Sequence, residues 1–163
     1  MKAMPQNSSL GPEMSTSKND ATPAAEHPVI FYDGVCALCN RMNQFVLRND
    51  PGGIFYFASL QSPLGKHVLA KYGAAASDLD SILVAIHYNL PDEVLLSRSD
   101  AILGILQRLG GISRLVAALG RVCPKLLRDW IYNRIARNRY RVFGRTDSCL
   151  LPRPEYRDRF LDV

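Results

Sequence analysis

The chain has 163 residues, of which 47% are hydrophobic, so it is long and apolar enough for one domain with a sizeable core. No apolar run approaches the roughly 18 residues of a membrane span, and the N-terminus lacks the apolar segment of a secretory signal. These features argue against a membrane-spanning or secreted protein and predict a cytoplasmic one. In the reducing cytoplasm, the four cysteines of the chain are expected to be redox-active, metal-binding or simply buried rather than to form structural disulfides.

The net charge of +5 is unevenly distributed along the chain. Residues 1–107 contain 7 Lys or Arg against 10 Asp or Glu, whereas residues 108–163 contain 13 against 5. The basic character therefore belongs to the last third of the chain. A basic surface of this kind would suit nucleic acid, an anionic membrane surface or an acidic protein.

The N-terminal part divides into a tail and the start of a folded domain. Residues 1–27 are rich in small polar residues and proline without periodicity, which predicts a disordered tail. The domain, residues 28–163, opens with four apolar residues at 29–32 that predict a buried strand. An amphipathic helix follows, predicted from the apolar positions i, i+4, i+7 and i+8 of Leu38, Met42, Phe45 and Val46.

The middle of the chain predicts three more strands and two more helices. A second strand is expected at 54–58, and Ser62 and Pro63 then start a helix that runs to Tyr72, before Gly73. Strands at 82–86 and 94–96 are expected to form an antiparallel hairpin, since a turn sequence separates them. Ser99 or Asp100 would cap the next helix, which Gly110 and Gly111 end.

This order of elements predicts an α/β fold with a central sheet and helices on both faces. It is the order of the thioredoxin fold. From about residue 112 onward, two further helices are predicted to form a hairpin beside the sheet. The apolar stripes of these two helices are expected to be buried in the core. The stripes comprise Leu115, Ala118, Leu119 and Val122 in the first helix, and Leu127, Trp130, Ile131 and Ile135 in the second.

Two cysteines, Cys36 and Cys39, lie where the first strand ends and the first helix begins. A thiol at a helix N-terminus faces unpaired N–H groups and the positive end of the helix dipole, and both favour the reactive thiolate. A spacing of two residues lets the second sulfur reach the first within one helical turn. The pair therefore predicts a redox-active dithiol.

Two motifs carry a resemblance to a known family. Asp33-Gly34-x-Cys36-x-Leu38-Cys39 after an apolar strand, together with residues 136–145, resembles the DCC family of thiol-disulfide oxidoreductases over roughly residues 28–161. The resemblance implies a thioredoxin-like fold and dithiol chemistry. By analogy with thioredoxin-like proteins, Cys36 would be the nucleophile, nearer the exposed end, and Cys39 would resolve the mixed disulfide.

Asp33 has three interpretations that the sequence leaves open. Its carboxylate would cap the turn by accepting from the N–H of Val35 or Cys36. It would also serve as a general base for Cys39 during resolution. A negative charge this close would at the same time oppose the thiolate.

Substrate-binding residues are suggested at two places. Thioredoxins place a cis-proline before the third strand, whereas this chain has Asp80 and Ser81 there. Either these two residues take that position in trans, with Ser81 as a candidate contact, or the substrate groove is built differently. Arg98 and Asp100 lie where related folds hold a glutathione carboxylate, at a helix N-terminus. The simpler interpretation is a helix cap with a surface arginine.

The remaining candidates carry weaker signals. Cys123 and Cys149 are isolated, and no histidine has metal-ligand spacing to the dithiol, so no metal site is predicted. The arginines from 134 to 145 alternate with Tyr140 and Phe143, a pattern that resembles nucleic-acid binding. A solvated helix face with a segment that docks through Tyr140 and Phe143 is the favoured alternative, which makes nucleic acid an unexpected partner.

The sequence thus predicts a thiol-disulfide oxidoreductase that acts through Cys36, Cys39 and Asp33 on a disulfide substrate, and that an external reductant restores. No bound cofactor is required. The alternative is a non-catalytic module that holds an anionic partner on its basic C-terminal helices. The sequence does not indicate the substrate, the redox direction or the oligomeric state.

Overall fold

The computed structural model describes residues 26–73, 82–146 and 153–162. Its strands are β1 (Val29–Tyr32), β2 (Tyr56–Ser59), β3 (Leu83–Ile86) and β4 (Val94–Ser97). Its α-helices are α1 (Ala37–Asn49), α2 (Pro63–Tyr72), α3 (Arg98–Leu109), α4 (Gly111–Val122) and α5 (Lys125–Phe143), and a 3-10 helix spans Pro154–Arg159. Most of the predicted tail (residues 1–25), together with Ser81 and Cys149, lies outside the described residues.

The four strands form one sheet in the order β2-β1-β3-β4. β1 pairs in parallel with β2, and β3 is antiparallel to both β1 and β4, so the predicted hairpin is confirmed. Alternating residues of β1 enter two separate cores, because successive side chains of a strand point to opposite faces. Ile30 packs with residues of α1 and α3, whereas Phe31 packs with α2. The predicted thioredoxin-like sheet with helices on both faces is confirmed.

Local signals predict α2 correctly, whereas side-chain hydrogen bonds shift the start of β2. Ser62 caps α2 by accepting from the N–H of Gly65, as expected. β2 begins at Tyr56 rather than at residue 54, because the N–H groups of Ile54 and Phe55 donate to the Asp50 carboxylate instead of to a neighbouring strand.

The predicted cap of α3 is wrong. The helix begins at Arg98, directly after β4, and its N-cap residue is Ser97, without a side-chain cap bond. Ser99 and Asp100 turn toward α5 instead, where their side chains bond to Asp129 and Arg128. A tertiary contact therefore uses the polar groups that looked like local caps.

Helices α4 and α5 are present as expected, but the prediction that their large apolar stripes form core is wrong. The seven Leu, Val, Ile and Trp residues of those stripes are 44% to 82% exposed. α4 instead meets α3 through small residues: Ala117 is buried, and a Cβ at Gly120 would lie 2.8 Å from Leu103. α5 turns Tyr132 and Phe143 toward the body of the domain.

The C-terminal segment covers the outer edge of the sheet at β2. Phe160 forms a bridge to Phe57 and stacks on its ring at 5.0 Å, and the N–H of Leu161 donates to the Phe57 carbonyl at 2.9 Å. Arg159 forms an ion pair with the buried Asp50. Among the described residues, no helix combines the length and apolar character that crossing a membrane requires.

Candidate active site

Cys36 is the N-cap residue of α1, and its sulfur takes the place of the usual capping oxygen. Its backbone is extended, with φ −90° and ψ 115°, and the N–H of Cys39 donates to Cys36 Sγ at 3.4 Å. An N-cap acceptor satisfies a helix N–H group that has no partner within the helix. A negatively charged sulfur accepts such a bond better than a neutral thiol does.

The two thiols, both free, have opposite pKa shifts. Hydrogen bonding from Cys39, through its thiol and its N–H, lowers the pKa of Cys36 to about 6, with the nearby charge of Arg139 assisting and burial opposing. The same thiol–thiol hydrogen bond, burial and the negative charge of Cys36 raise the pKa of Cys39. The arrangement therefore holds Cys36 as thiolate and Cys39 as its thiol donor.

Cys36 is buried by a short segment that we call the strap, residues 144–146. The strap pairs with the dithiol turn: the N–H of Thr146 donates to the Val35 carbonyl at 3.0 Å, and that of Ala37 to the Gly144 carbonyl at 3.5 Å. Cys36 is 0% exposed, contrary to the expectation that it lies at an exposed end. Because the strap lies over Cys36, a substrate reaches the Cys36 sulfur only when the strap moves away from the dithiol turn.

Asp33 lies buried beneath the dithiol, with both carboxylate oxygens engaged. Oδ1 accepts from the N–H of Val35 at 3.1 Å, as the capping interpretation predicted, and from Gln61 Nε2 at 2.9 Å. Oδ2 accepts from Arg139 Nη2 at 2.9 Å and from the Tyr140 hydroxyl. Burial raises the pKa of Asp33, but these hydrogen bonds outweigh it and leave the pKa below its usual value.

Arg139 is a residue of this site that the sequence analysis missed. It was placed among the arginines of a solvated helix face, yet only 3% of it is exposed, whereas its neighbours Arg137 and Arg141 are exposed. Burial lowers the pKa of Arg139, but its hydrogen bonds to Tyr140 and Asp33 raise the pKa by more than burial lowers it, so Arg139 stays charged. The signal was its spacing, because Tyr132, Ala136, Arg139 and Phe143 follow at i, i+4, i+7 and i+11 on one helix face.

Gln61 is a second residue of the site that the sequence analysis missed, and unlike Arg139 it has no sequence signal. It follows β2, and its amide donates to Asp33 while its carbonyl oxygen accepts from the N–H of Gly34 at 3.1 Å. The expected docking of the arginine-rich segment through Tyr140 and Phe143 agrees with the structure, since Tyr140 bonds Asp33 and Phe143 lines a cavity beside Cys39.

That cavity has a volume of about 330 Å³ and lies between α1, α3 and α5. Its wall is mainly apolar and includes Leu38, Met42, Ile102 and Phe143, with Cys39 and the Asp33–Arg139 pair at one side. Cys39 is partly exposed, whereas Cys36 does not line the cavity. A small apolar group in this space would lie directly against the second cysteine.

Two of the suggested substrate-binding residues, Arg98 and Asp100, lie outside this cavity. Asp100 forms ion pairs with Lys125 and with Arg128 Nη1, the latter at 3.1 Å, and thereby ties α3 to α5. Arg98 is half-buried at the start of α3, with φ at 53°. Neither residue lines the cavity beside Cys39, and Cys123 is half-buried at the end of α4.

Comparison with known proteins identifies relatives that cover most of the chain. The uncharacterized protein YuxK of Bacillus subtilis is 38% identical over 133 residues, which cover 82% of this chain and 93% of that protein. A chloroplastic DCC family protein of Arabidopsis thaliana is 33% identical over 126 residues, 77% of this chain and 70% of that protein. No solved structure matches significantly. Because the DCC1-like thiol-disulfide oxidoreductase family model matches residues 30–145, from β1 to the strap, the chain belongs to that family.

Proposed function

We propose that the protein exchanges disulfides through Cys36 as nucleophile and Cys39 as resolving thiol. The observation that carries this proposal is the hydrogen-bonded pair at the start of α1. Cys36 Sγ accepts from Cys39, which lowers the pKa of Cys36 to about 6 and raises that of Cys39, so that Cys36 is mostly thiolate at neutral pH while Cys39 keeps its proton. A nucleophile and a resolving thiol need these different protonation states at the same time.

The reaction then proceeds in two exchanges. Cys36 thiolate attacks one sulfur of the substrate disulfide, forms a mixed disulfide and releases the first substrate thiolate, which takes a proton from water. Cys39 loses its proton and attacks Cys36, and the second substrate thiolate leaves and is protonated. The substrate gains two electrons and two protons, the Cys36–Cys39 disulfide remains, and an external dithiol restores it.

The pKa of Cys39 supports this order of events. Its hydrogen bond to Cys36 and the negative charge of Cys36 are two of the causes that raise it. Both causes disappear once Cys36 is bound in a mixed disulfide. The first step therefore prepares the second, because Cys39 ionises more easily as soon as its ionisation is needed.

Asp33 serves in this proposal mainly to position Arg139. With donors on both oxygens and a lowered pKa, the carboxylate is a weak base for Cys39. Arg139, held in place by Asp33, lowers the pKa of both thiols through its charge. The base role for Asp33 stays a hypothesis that resolution kinetics separate from the positioning role.

The apolar cavity beside Cys39 supports a substrate whose disulfide carries a small apolar group. The roles suggested for Ser81, Arg98 and Asp100 in substrate binding stay predictions. So do the external reductant and the cytoplasmic location.

Trapping the mixed disulfide tests the proposal. Cys39→Ser protein, treated with a small aromatic disulfide, is expected to accumulate one substrate fragment on Cys36, visible by mass spectrometry and absent from Cys36→Ser/Cys39→Ser. Cys123→Ser is the matched control, since it removes a half-buried thiol outside the site and should turn over normally. Full turnover by Cys36→Ser would refute the assignment.

A further inference from the structure

Helix α4 exposes five large apolar side chains. Ile112, Leu115, Val116, Leu119 and Val122 follow at i, i+3, i+4, i+7 and i+10, so they share one helix face, and they are 51% to 82% exposed. This face is not the packing face, because α4 meets α3 through Ala117 and Gly120. The helix is thus strongly amphipathic with its apolar side outward, a reversal of the usual arrangement.

The outer face of α5, which follows α4 after Cys123 and Pro124, changes character along its length. Leu126, Trp130, Arg134, Arg137 and Arg141 follow at i, i+4, i+8, i+11 and i+15 on one face. Leu126 is 87% and Trp130 65% exposed, and the three arginines are exposed as well. None of these arginines forms an ion pair with a carboxylate within residues 26–73, 82–146 and 153–162.

We propose that this α4–α5 face, formed by the apolar residues of α4 and the outer face of α5, docks on an anionic lipid surface. Large aliphatic side chains on one side and arginines beside them are the pattern of helices that lie in the headgroup layer. Trp130 stands where the apolar half of α5 meets the cationic half, and an indole prefers that boundary.

Charge decides between a lipid surface and a second copy of the chain. The outer face of α5 presents three exposed arginines, and the single acidic residue of α5, Asp129, is bonded to Ser99 and Lys125, so two copies meeting through this face would bring like charges together. An anionic surface pairs with the same arginines and receives the apolar side chains. The proposal goes beyond the dithiol chemistry and does not depend on it, since α5 turns Arg139 inward, away from this face.

The chain carries its own reporter, because Trp130 is its single tryptophan. With vesicles of phosphatidylcholine and phosphatidylglycerol in about equal parts, its fluorescence is expected to shift to shorter wavelength, and brominated lipid should quench it. Vesicles of phosphatidylcholine alone should bind at least about tenfold more weakly, since each arginine near an anionic surface contributes on the order of fivefold in affinity. High salt should reduce binding to the anionic vesicles.

Two variant pairs divide the apolar and cationic contributions. Val122→Ser/Leu126→Ser should abolish the blue shift, and Arg137→Gln/Arg141→Gln should weaken binding by roughly one order of magnitude. Arg41→Gln/Arg48→Gln is the matched control, because it removes two exposed arginines from α1. Circular dichroism and Cys36 alkylation verify the fold of each variant.

Three outcomes would overturn the proposal. One is an unchanged Trp130 spectrum at saturating anionic lipid. Another is equal binding to neutral and anionic vesicles. The third is a lipid-free dimer that buries Trp130 and that Val122→Ser/Leu126→Ser dissociates, since it would assign the face to a second copy.

Discussion

Replacing Arg139 by glutamine would remove the cation from the buried ion pair beneath the dithiol. Arg139 and Asp33 side chains are 4% and 5% exposed, and Nη2 lies 2.9 Å from Oδ2. Breaking a buried pair by removing one partner typically costs about 3–5 kcal/mol, because the remaining charge is left uncompensated. Tyr140, Gln61 and the N–H of Val35 still hold Asp33, so we expect the lower end, about 3 kcal/mol.

The same substitution should also change the pKa of Cys36. The charge of Arg139 lowers the pKa of Cys36, so Arg139→Gln should raise that pKa above about 6. Asp33→Asn should move it the other way, because Arg139 then acts without its counter-charge. Both shifts should be smaller than the effect of Cys39→Ala, which removes the thiol donor, since the side-chain hydrogen bond from Cys39 is the largest cause.

A double-mutant cycle measures the coupling. Urea denaturation gives the free energy of unfolding of both single variants and of Asp33→Asn/Arg139→Gln, and alkylation of Cys36 against pH gives its pKa. In the double variant two neutral amides replace the ion pair, so its loss of stability should be smaller than the sum of the single losses. Arg137→Gln, at an exposed position of α5, is the control. Losses that add within about 0.5 kcal/mol, with an unchanged Cys36 pKa, would refute the coupling.

Three further predictions concern Asp33 and α2. In stopped-flow measurements with a model disulfide, Asp33→Asn should speed the first attack at low pH and leave resolution unchanged, whereas slower resolution alone would assign the base role to the carboxylate. The pKa of Asp33 in the fold lies below the 3.8 of a free side chain, so the unfolded chain binds the proton first as the pH falls. The free energy of unfolding should therefore decrease below about pH 4. Asp33→Asn should make this decrease smaller in acid titrations. Gly65→Ala should lower the free energy of unfolding, measured in urea, by at least about 2 kcal/mol, because its Cβ would lie 2.3 Å from the Ser59 carbonyl oxygen. Gly52→Ala, whose nearest contact is at 3.8 Å, should cost little and is the control. Equal losses of stability in the two variants would contradict the close packing of α2 on β2.

Sequence patterns determined the elements whose signals lie within a few residues. The apolar run 29–32 became β1 with the predicted bounds, and Ser62, Pro63 and Gly73 set the ends of α2. The dithiol also fell between strand and helix as expected, because its place depends only on the strand before it and the helix after it. These features follow from side-chain periodicity and from capping, which act locally.

The tertiary structure alone decided what lies around the dithiol and on the far side of α5. Arg139 and the strap are about a hundred residues from Cys36 in sequence, and their contacts with the dithiol turn depend on how α5 packs against α1 and α3. The same packing exposes Trp130 and the apolar face of α4, which periodicity assigned to the core. Periodicity shows that a helix has an apolar face, but only the neighbouring elements determine whether that face is buried.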